Sequence, residues 1–179
     1  MSNLGKWAPW YDKPDIEQTR YGDDDIAYQL GAEWHKGLSV EDWGCGLGWF
    51  RRFHDGPYLG IDGTASPFAD IVTDLTRRRL TVFNPQGIFL RGVLEHNVEW
   101  RKILDNALAS ATKRIFIGIF TPNGNGEIID TTEELGVPDI ALPWDEVGDI
   151  IREAGWDTTF NVRPTSTHYG REAFWWCLR

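Results

Sequence analysis

Hydrophobic residues recur along parts of the chain with the 3.6-residue period of an amphipathic helix. The clearest pattern places apolar residues on one helical face at Trp100, Ile103, Leu104, Ala107, Leu108 and Ala111. A similar spacing follows the acidic run 23–25 as far as residue 34, and another covers residues 144–154. Asn97 is the predicted N-cap of the central helix, because its side chain can accept an N–H of the first turn. The sequence therefore predicts three amphipathic helices.

Short apolar runs without helical spacing predict strands before, between and after these helices. They cover residues 38–43, 58–61, 70–73, 87–90, 114–120, 158–163 and 173–178. A short helix is predicted at residues 49–54. Residues 121–143 contain Thr-Pro-Asn-Gly-Asn-Gly and are predicted to form a long loop.

The order of these elements predicts the fold class. Strands alternate with helices or long connections through the first two thirds of the chain, which is typical of parallel crossovers. The last two strands are joined by a short turn, which favours an antiparallel hairpin. We therefore expect an α/β fold, a doubly wound and mostly parallel sheet with an antiparallel C-terminal strand. Residues 1–179 are expected to be a single domain, in which residues 1–20 form an arm or a lid.

Composition and charge narrow the classes of protein that fit. Hydrophobic residues make up 41% of the chain and charged residues 25%, which is a globular composition. The formal net charge of −9 argues against an extended nucleic-acid partner. The longest apolar run, residues 115–120, is too short for a membrane helix, and the N-terminus lacks the apolar segment of a secretory signal. Two cysteines are too few for a disulfide framework, so we expect a reduced, cytoplasmic protein.

A glycine-rich turn follows the first predicted strand and carries the strongest chemical signal. Gly44 and Gly46 lack a Cβ atom, so a ligand can lie against bare backbone there. Asp42 ends the first strand, Asp62 the second and Asp74 the third. Because parallel strands end at the same edge of a sheet, these carboxylates should line one ligand-binding edge. A carboxylate after the second strand is well suited to accept both hydroxyls of a ribose.

The spacing of the glycines bears on the type of cofactor. The turn has the form G-x-G-x-G, whereas a dinucleotide fold uses G-x-G-x-x-G. Trp49 stands where the third glycine of that motif would allow close packing of helix on strand. An NAD(P)-dependent reductase is therefore an alternative that the spacing disfavours. A non-catalytic module that only binds its cofactor is a second alternative.

The segment 40–48, Val-Glu-Asp-Trp-Gly-Cys-Gly-Leu-Gly, resembles motif I of the class I S-adenosylmethionine-dependent methyltransferases. The segment 60–62 resembles their second motif, and residues 91–96 resemble the V-L-E-H segment after their fourth strand. This resemblance implies a Rossmann-like fold, S-adenosylmethionine as cofactor and methyl transfer as reaction. The acceptor expected here is an oxygen of a small molecule or saccharide, without nucleic acid or membrane.

The resemblance also implies roles for particular residues. The residues assigned to the cofactor are Tyr21, Asp42, Gly44, Cys45, Gly46, Asp62, Gly63, Asp74, Leu75, Arg91 and Gly92. The glycine turn would face the methionine part, Asp62 would bind the ribose and Asp74 would flank the adenine. Arg91 would pass close to the methyl-donor end, and Tyr21 would cover the cofactor carboxylate. Cys45 is interpreted as a packing residue and not as a nucleophile.

Two histidines are candidates for the chemistry. His96 is either a general base for a hydroxyl acceptor or a residue that begins a helix and hydrogen-bonds to a loop. His168, in the turn between the last strands, is a second candidate for the same pocket. Some relatives use E-x-x-E-H as a metal site, but Gly92 stands at the first position here, so no metal is expected.

The aromatic residues of the N-terminal arm have two readings. Trp7, Trp10 and Tyr11 could stack on a sugar or an aromatic acceptor, or they could pin the arm to the domain.

Overall fold

The computed structural model describes residues 4–13, 25–77, 85–132 and 134–179. Its strands are β1 (Val40–Trp43), β2 (Tyr58–Asp62), β3 (Ile71–Val72), β4 (Gly87–Arg91), β5 (Arg114–Ile119), β6 (Glu127–Thr132), β7 (Val137–Ala141), β8 (Asp157–Pro164) and β9 (Arg171–Leu178). Its α-helices are α1 (Ala8–Tyr11), α2 (Ile26–Trp34), α3 (Trp100–Ser110) and α4 (Trp144–Glu153). Within these ranges, no helix has the length and hydrophobicity that a membrane span requires.

Seven strands form one sheet in the order β3-β2-β1-β4-β5-β9-β8. The pairs among β1 to β5 are all parallel, and β9 lies antiparallel between β5 and β8. This topology confirms the prediction of a doubly wound, mostly parallel sheet with an antiparallel C-terminal strand. The strand order reverses between β1 and β4, which is where such sheets open a crevice at their carboxyl edge.

Helices cover the sheet on both faces. The apolar sides of α3 and α4 pack on one face around Ile117 and Trp175, and α2 packs on the other face. Four phenylalanines cross that second face as a row: the centroids of Phe50 and Phe89 are 4.0 Å apart, those of Phe89 and Phe116 5.4 Å, and those of Phe116 and Phe174 5.6 Å. A Cβ atom on Gly31 of α2 would lie 2.3 Å from the Phe89 ring, so this glycine lets the helix approach the row.

Three local predictions are wrong. Residues 121–143 are not a loop throughout, because β6 and β7 pair there as an antiparallel hairpin. Asn97 is not the N-cap of α3: Glu99 holds that position, and the Asn97 amide donates to the carbonyl of Val93 at 2.6 Å. The helix predicted at residues 49–54 is a single 3-10 turn, Phe50–Arg52.

The N-terminal segment lies across the carboxyl edge of the sheet. The Gly5 N–H donates to the carbonyl of Gly63 at 2.8 Å, on the loop that follows β2. On the opposite side, Lys13 forms an ion pair of 2.6 Å with Glu134, in the turn of the β6–β7 hairpin. The segment therefore connects the loop after β2 with the hairpin.

Candidate functional site

One cavity of about 460 Å³ opens at the carboxyl ends of β1, β2 and β4. The predicted site residues that line it are Asp42, Gly44, Cys45, Gly46, Asp62, Gly63, Asp74, Leu75, Arg91, Gly92, His96 and His168. Tyr21 lies outside the described residues. The structure thus places together side chains from positions as distant as 42 and 168.

The glycine turn has backbone φ angles that residues other than glycine rarely adopt. Gly44, Gly46 and Gly48 have φ angles of 74°, 51° and 66°, in the left-handed region that disfavours residues with a Cβ atom. A Cβ atom on Gly44 would also lie 2.3 Å from the side chain of Val93. The turn therefore needs glycine for its conformation as well as for access to bare backbone.

Asp62 fastens this turn to the end of β2. Its Oδ2 accepts the Gly46 N–H at 3.0 Å and its Oδ1 accepts the Thr64 N–H at 2.8 Å. The Tyr11 hydroxyl lies 3.5 Å from Oδ2. Burial raises the pKa of Asp62, although the backbone donors oppose that rise. A carboxylate has about four lone-pair sites, so it can hold the turn and also accept ligand hydroxyls.

Two other groups of the turn region are buried. The carboxyl of Asp42 accepts the Tyr58 hydroxyl at 2.8 Å, and burial raises its pKa to about 7. The Cys45 thiol donates to the carbonyl of Phe68 at 3.6 Å. Burial also raises the pKa of Cys45, so the reactive thiolate is disfavoured and a packing role fits better.

The carboxylate of Asp74 shapes the loop after β3. Its Oδ1 accepts the backbone N–H of Thr76 at 3.0 Å and the Thr76 hydroxyl at 2.7 Å. Leu75 lines the cavity beside it, and its carbonyl accepts the Asn106 amide at 2.8 Å. Asp74 and Leu75 are therefore held by local hydrogen bonds at the cavity wall.

Arg91 brings a positive charge to the end of β4. Its Nη2 lies 2.8 Å from Oε1 of Glu172, and both side chains are almost fully buried. Its Nη1 donates to the Tyr28 hydroxyl at 2.8 Å. Such a buried pair fixes the position of the guanidinium, because breaking it would leave a charge uncompensated.

His96 lies at the far end of the cavity, on the 3-10 turn Leu94–His96 after β4. Its Nδ1 is 3.1 Å from Oδ1 of Asp139 and 3.1 Å from the carbonyl oxygen of Pro138, both on β7. Trp7 meets the imidazole edge-on at a centroid distance of 5.4 Å, and Phe120 lies 5.3 Å away. His96 is therefore enclosed by aromatic rings and held by the hairpin.

The charges around His96 favour its protonated form. Burial opposes the imidazolium, but the hydrogen bond to Asp139 and the negative charge of Glu95 outweigh it and raise the pKa of His96. Burial likewise opposes the Asp139 carboxylate, yet the hydrogen bond with His96 leaves the pKa of Asp139 lowered. The second oxygen of Asp139 accepts the Tyr169 hydroxyl at 3.0 Å.

Glu95 supports the site from within the protein. It is fully buried, and its Oε1 accepts the Phe120 N–H at 2.9 Å, so it ties the 3-10 turn to the end of β5. Burial raises the pKa of Glu95 to about 7. Among the residues that the structure describes, no three His, Cys, Asp or Glu side chains are grouped to hold a metal ion.

Sequence reasoning missed Asp139 and Tyr169. Asp139 lies in the segment predicted as a loop, and Tyr169 lies in the turn between β8 and β9. The one available signal was the apolar run 137–141, Val-Pro-Asp-Ile-Ala, in which a lone acid interrupts a buried strand. His35 and His54, by contrast, do not line the cavity, and each is hydrogen-bonded to a backbone carbonyl.

Comparison with solved structures shows the class I methyltransferase fold. Magnesium protoporphyrin IX methyltransferase from Synechocystis PCC 6803 superposes with a TM-score of 0.62 at 15% identity, covering 97% of this chain and 93% of that one. A chain of the complex between the Haloferax volcanii Trm112 methyltransferase activator and a methyltransferase superposes with a TM-score of 0.72 at 10% identity, covering 97% and 95%. No protein-family model matches the chain, and no curated protein matches its sequence.

Other matches show how widely this fold is used. An O-methyltransferase family protein from Burkholderia thailandensis superposes with a TM-score of 0.61 at 15% identity. The match covers 87% of this chain, which spans 54% of that protein's length. The [4+2]-cyclase SpnF superposes with a TM-score of 0.64 at 13% identity, covering 89% and 85%. The likeness therefore defines the fold, and the reaction has to be argued from the site.

Proposed function

We propose that the chain is an S-adenosylmethionine-dependent methyltransferase that acts on a hydroxyl oxygen of a small molecule or saccharide. The observation that carries the proposal is the cavity itself, where the glycine turn, Asp62 and Asp74 meet at the carboxyl edge of a class I methyltransferase sheet. The similar structure from Synechocystis contains bound S-adenosylhomocysteine, the product form of this cofactor.

The residues present fit the cofactor. The turn between Gly44 and Gly46 offers bare backbone to the methionine part, and a side chain at Gly44 would clash with its own neighbour. Asp62 accepts from Gly46, Thr64 and Tyr11, and one of its about four lone-pair sites would then serve the ribose hydroxyls. Asp74 and Leu75 would flank the adenine, while Arg91 and Gly92 would lie at the methyl-donor end.

The acceptor half of the cavity supports oxygen as the methylated atom. When bound, S-adenosylmethionine would supply a sulfonium methyl group, whose transfer to a hydroxyl forms a C–O bond, breaks a C–S bond and releases one proton. His96 is the group positioned to take that proton, and Trp7 and Phe120 shield it from water. Thr132 and Ser166 add hydroxyl groups to the same lining, which suits a small hydroxylated acceptor.

Calorimetry with three ligands tests the cofactor. We expect S-adenosylmethionine and S-adenosylhomocysteine to bind and NADPH not to bind. Asp62→Asn keeps one carbonyl oxygen but loses the charge, and should weaken cofactor binding by about tenfold or more. Asp55→Asn is the matched control, because Asp55 is exposed and does not line the cavity. Equal affinity for wild type and Asp62→Asn would contradict the cofactor assignment.

A screen for turnover separates an enzyme from a binding module. Sugars and small hydroxylated compounds would be incubated with methyl-labelled cofactor, and label would be followed into product. Tight cofactor binding without transfer to any acceptor would favour the non-catalytic module. Binding of NADPH in preference to S-adenosylmethionine would favour the reductase.

A further inference from the structure

Three polar side chains from separate elements form a hydrogen-bond chain at the cavity wall. The Tyr169 hydroxyl, in the β8–β9 turn, donates to Oδ2 of Asp139 at 3.0 Å, and Oδ1 of Asp139 is 3.1 Å from Nδ1 of His96. We propose that Asp139 and Tyr169 are positioning residues that fix His96 as the Nδ1–H tautomer, with the lone pair on Nε2 to accept the proton of the acceptor hydroxyl. This inference rests on the proposed function.

The partners of His96 determine which ring nitrogen carries the proton. The Asp139 carboxylate and the Pro138 carbonyl, which lie within hydrogen-bond distance of Nδ1, are acceptors without a proton to donate. Nδ1 must therefore be the donor, and a neutral imidazole then has its lone pair on Nε2. The opposite tautomer would place a lone pair against two oxygen acceptors.

Tyr169 keeps Asp139 in position for this task. Asp139 is partly buried, and its two oxygens are satisfied by different donors, one from His96 and one from Tyr169. Phe120 packs against both ends of this hydrogen-bond chain: its ring is stacked on Tyr169 at 6.0 Å and tilted against His96 at 5.3 Å. These contacts restrict rotation of the Asp139 carboxylate and of the imidazole ring.

The charged and titratable groups near His96 come from three elements. Asp139 faces it from β7, Glu95 belongs to its own turn, and His168 and Tyr169 lie in the β8–β9 turn behind Asp139. The carboxylates favour the imidazolium, so His96 can hold the proton released when the acceptor oxygen gains the methyl group. The C–S electron pair stays on sulfur, and the imidazolium returns its proton to solvent after the product leaves.

Nuclear magnetic resonance of the histidine rings tests the proposal without cofactor or acceptor. The chain has four histidines, and His96→Gln identifies the His96 signals. The ¹⁵N shifts of the neutral wild-type ring should show the Nδ1–H tautomer. Asp139→Asn should lower the proton affinity of His96 by about tenfold or more, since an adjacent opposite charge shifts a pKa by roughly 1–3 units. Asp55→Asn, the same change at an exposed position outside the cavity lining, should leave it unchanged.

Kinetic measurements distinguish a positioning role of Asp139 and Tyr169 from a purely structural one. Asp139→Asn should lower kcat by roughly 10²-fold, within the range of a positioned base, and shift the rise of kcat to lower pH. Tyr169→Phe should lower kcat several-fold, and both variants should keep the KM for S-adenosylmethionine. A loss confined to KM would overturn the positioning role.

Two results would overturn the proposal directly. One is a wild-type His96 that is neutral in the Nε2–H form, which requires no variant and decides the matter even if Asp139→Asn does not fold. The other is an unchanged His96 proton affinity in folded Asp139→Asn. If the ring signals behave as expected but no acceptor is ever methylated, the proposed function fails while the positioning of His96 stands.

Discussion

Asp62 holds the backbone of the candidate site and is also the residue that we propose to bind the ribose. Its two oxygens hold the N–H groups of Gly46 and Thr64, so removing the carboxylate would loosen the glycine turn as well as remove acceptors. Replacing Asp62 by a residue with a shorter side chain would therefore combine loss of the ligand acceptors with loosening of the turn. The Asn variant separates them better, because one oxygen can still accept a backbone N–H.

Gly46→Val should abolish cofactor binding and also cost stability. Gly46 has a φ angle of 51°, and a residue with a Cβ atom pays about 1–2 kcal/mol in the left-handed region. Gly37→Val is the matched control, because Gly37 has a φ angle of 72° and open space around a Cβ atom. Both variants should lose stability in urea unfolding, and only Gly46→Val should lose binding in calorimetry. Normal binding by Gly46→Val would make the turn a purely structural feature.

His96→Ala should leave cofactor affinity nearly intact and reduce turnover by roughly 10²- to 10⁴-fold, the usual contribution of a positioned base. The neutral imidazole is the base, so the wild-type rate should rise with pH. Because the bond to Asp139 and the charge of Glu95 raise the pKa of His96 despite its burial, that rise should lie at higher pH than for an unperturbed histidine. The alanine variant should lack the dependence. Loss of turnover in His168→Ala instead would assign the base to His168.

At the scale of elements, the N-terminal arm lies against the cavity. Trp7 and Tyr11 line the cavity, and the arm is anchored to Gly63 on one side and to the hairpin on the other. Both readings of its aromatic residues thus remain compatible with the structure: Trp7 pins the arm against His96 and also faces the acceptor space.

If the arm acts as a lid, weakening its anchor should speed ligand release. Lys13→Glu reverses the charge opposite Glu134, and the exposed pair is worth roughly 0–1 kcal/mol, which corresponds to at most several-fold in rate. Stopped-flow release of S-adenosylhomocysteine should be faster in Lys13→Glu and restored in the double variant with Glu134→Lys. Lys102→Glu, which breaks an ion pair on α3, should not change release. An unchanged rate in Lys13→Glu would count against the lid.

Local patterns predicted most elements because their apolar residues face one side. The helix ends at Ser110 and the strand spans 114–119, each within one residue of the predicted ends at 111 and 120. The hairpin was missed because every residue of 127–131 is exposed, so β6 has no alternation between a buried and a polar face. Asn97 caps nothing because the 3-10 turn before it moves the helix start to Trp100.

The candidate site also has one part that the sequence predicted and one part that it did not. Its cofactor half follows from strand ends and glycines, which a linear motif records. Its acceptor half depends on contacts between segments far apart in sequence: Asp139 meets His96 across 43 positions, and Tyr169 meets Asp139 across 30. Such pairs are set by how the hairpin and the last turn pack over the sheet, and no local pattern encodes that packing.

At the scale of the whole molecule, the described residues contain four α-helices beside nine strands. The connection after β1 is one 3-10 turn, so the aromatic row from Phe50 to Phe174 fills the space beside α2. A long helix starting at the glycine turn would offer its N-terminus to a pyrophosphate. The single turn here lacks that feature, which agrees with a cofactor that carries no pyrophosphate.

The same architecture concentrates buried titratable groups around one edge, and stability should depend on pH as a result. Burial raises the pKa values of Asp42 and Glu95 to about 7. Burial lowers the pKa of His96, but the hydrogen bond to Asp139 outweighs this effect, and the pKa is raised. Each binds its proton more tightly in the folded than in the unfolded chain, so each loses stabilising free energy as pH rises toward its folded pKa. Asp139, with a lowered pKa, has the opposite slope at more acidic pH. His35 and His54 also have the opposite slope up to the ordinary histidine range, because burial lowers the pKa of His35 to about 4 and lowers that of His54 as well.

Above about pH 6.5, where His35 and His54 are neutral in the folded and the unfolded chain, the melting temperature of the protein without ligand should therefore fall toward pH 8, by up to ~1.4 kcal/mol of unfolding free energy per pH unit for each group that titrates. Calorimetric scans at constant ionic strength measure this slope. Asp42→Asn and Glu95→Gln place neutral side chains of the same size where the protonated acids would be, so each should flatten the slope and raise the melting temperature at pH 8. A melting temperature that does not fall over this range, with the same slope in wild type and in both variants, would show that these carboxyls are already ionised in the folded protein.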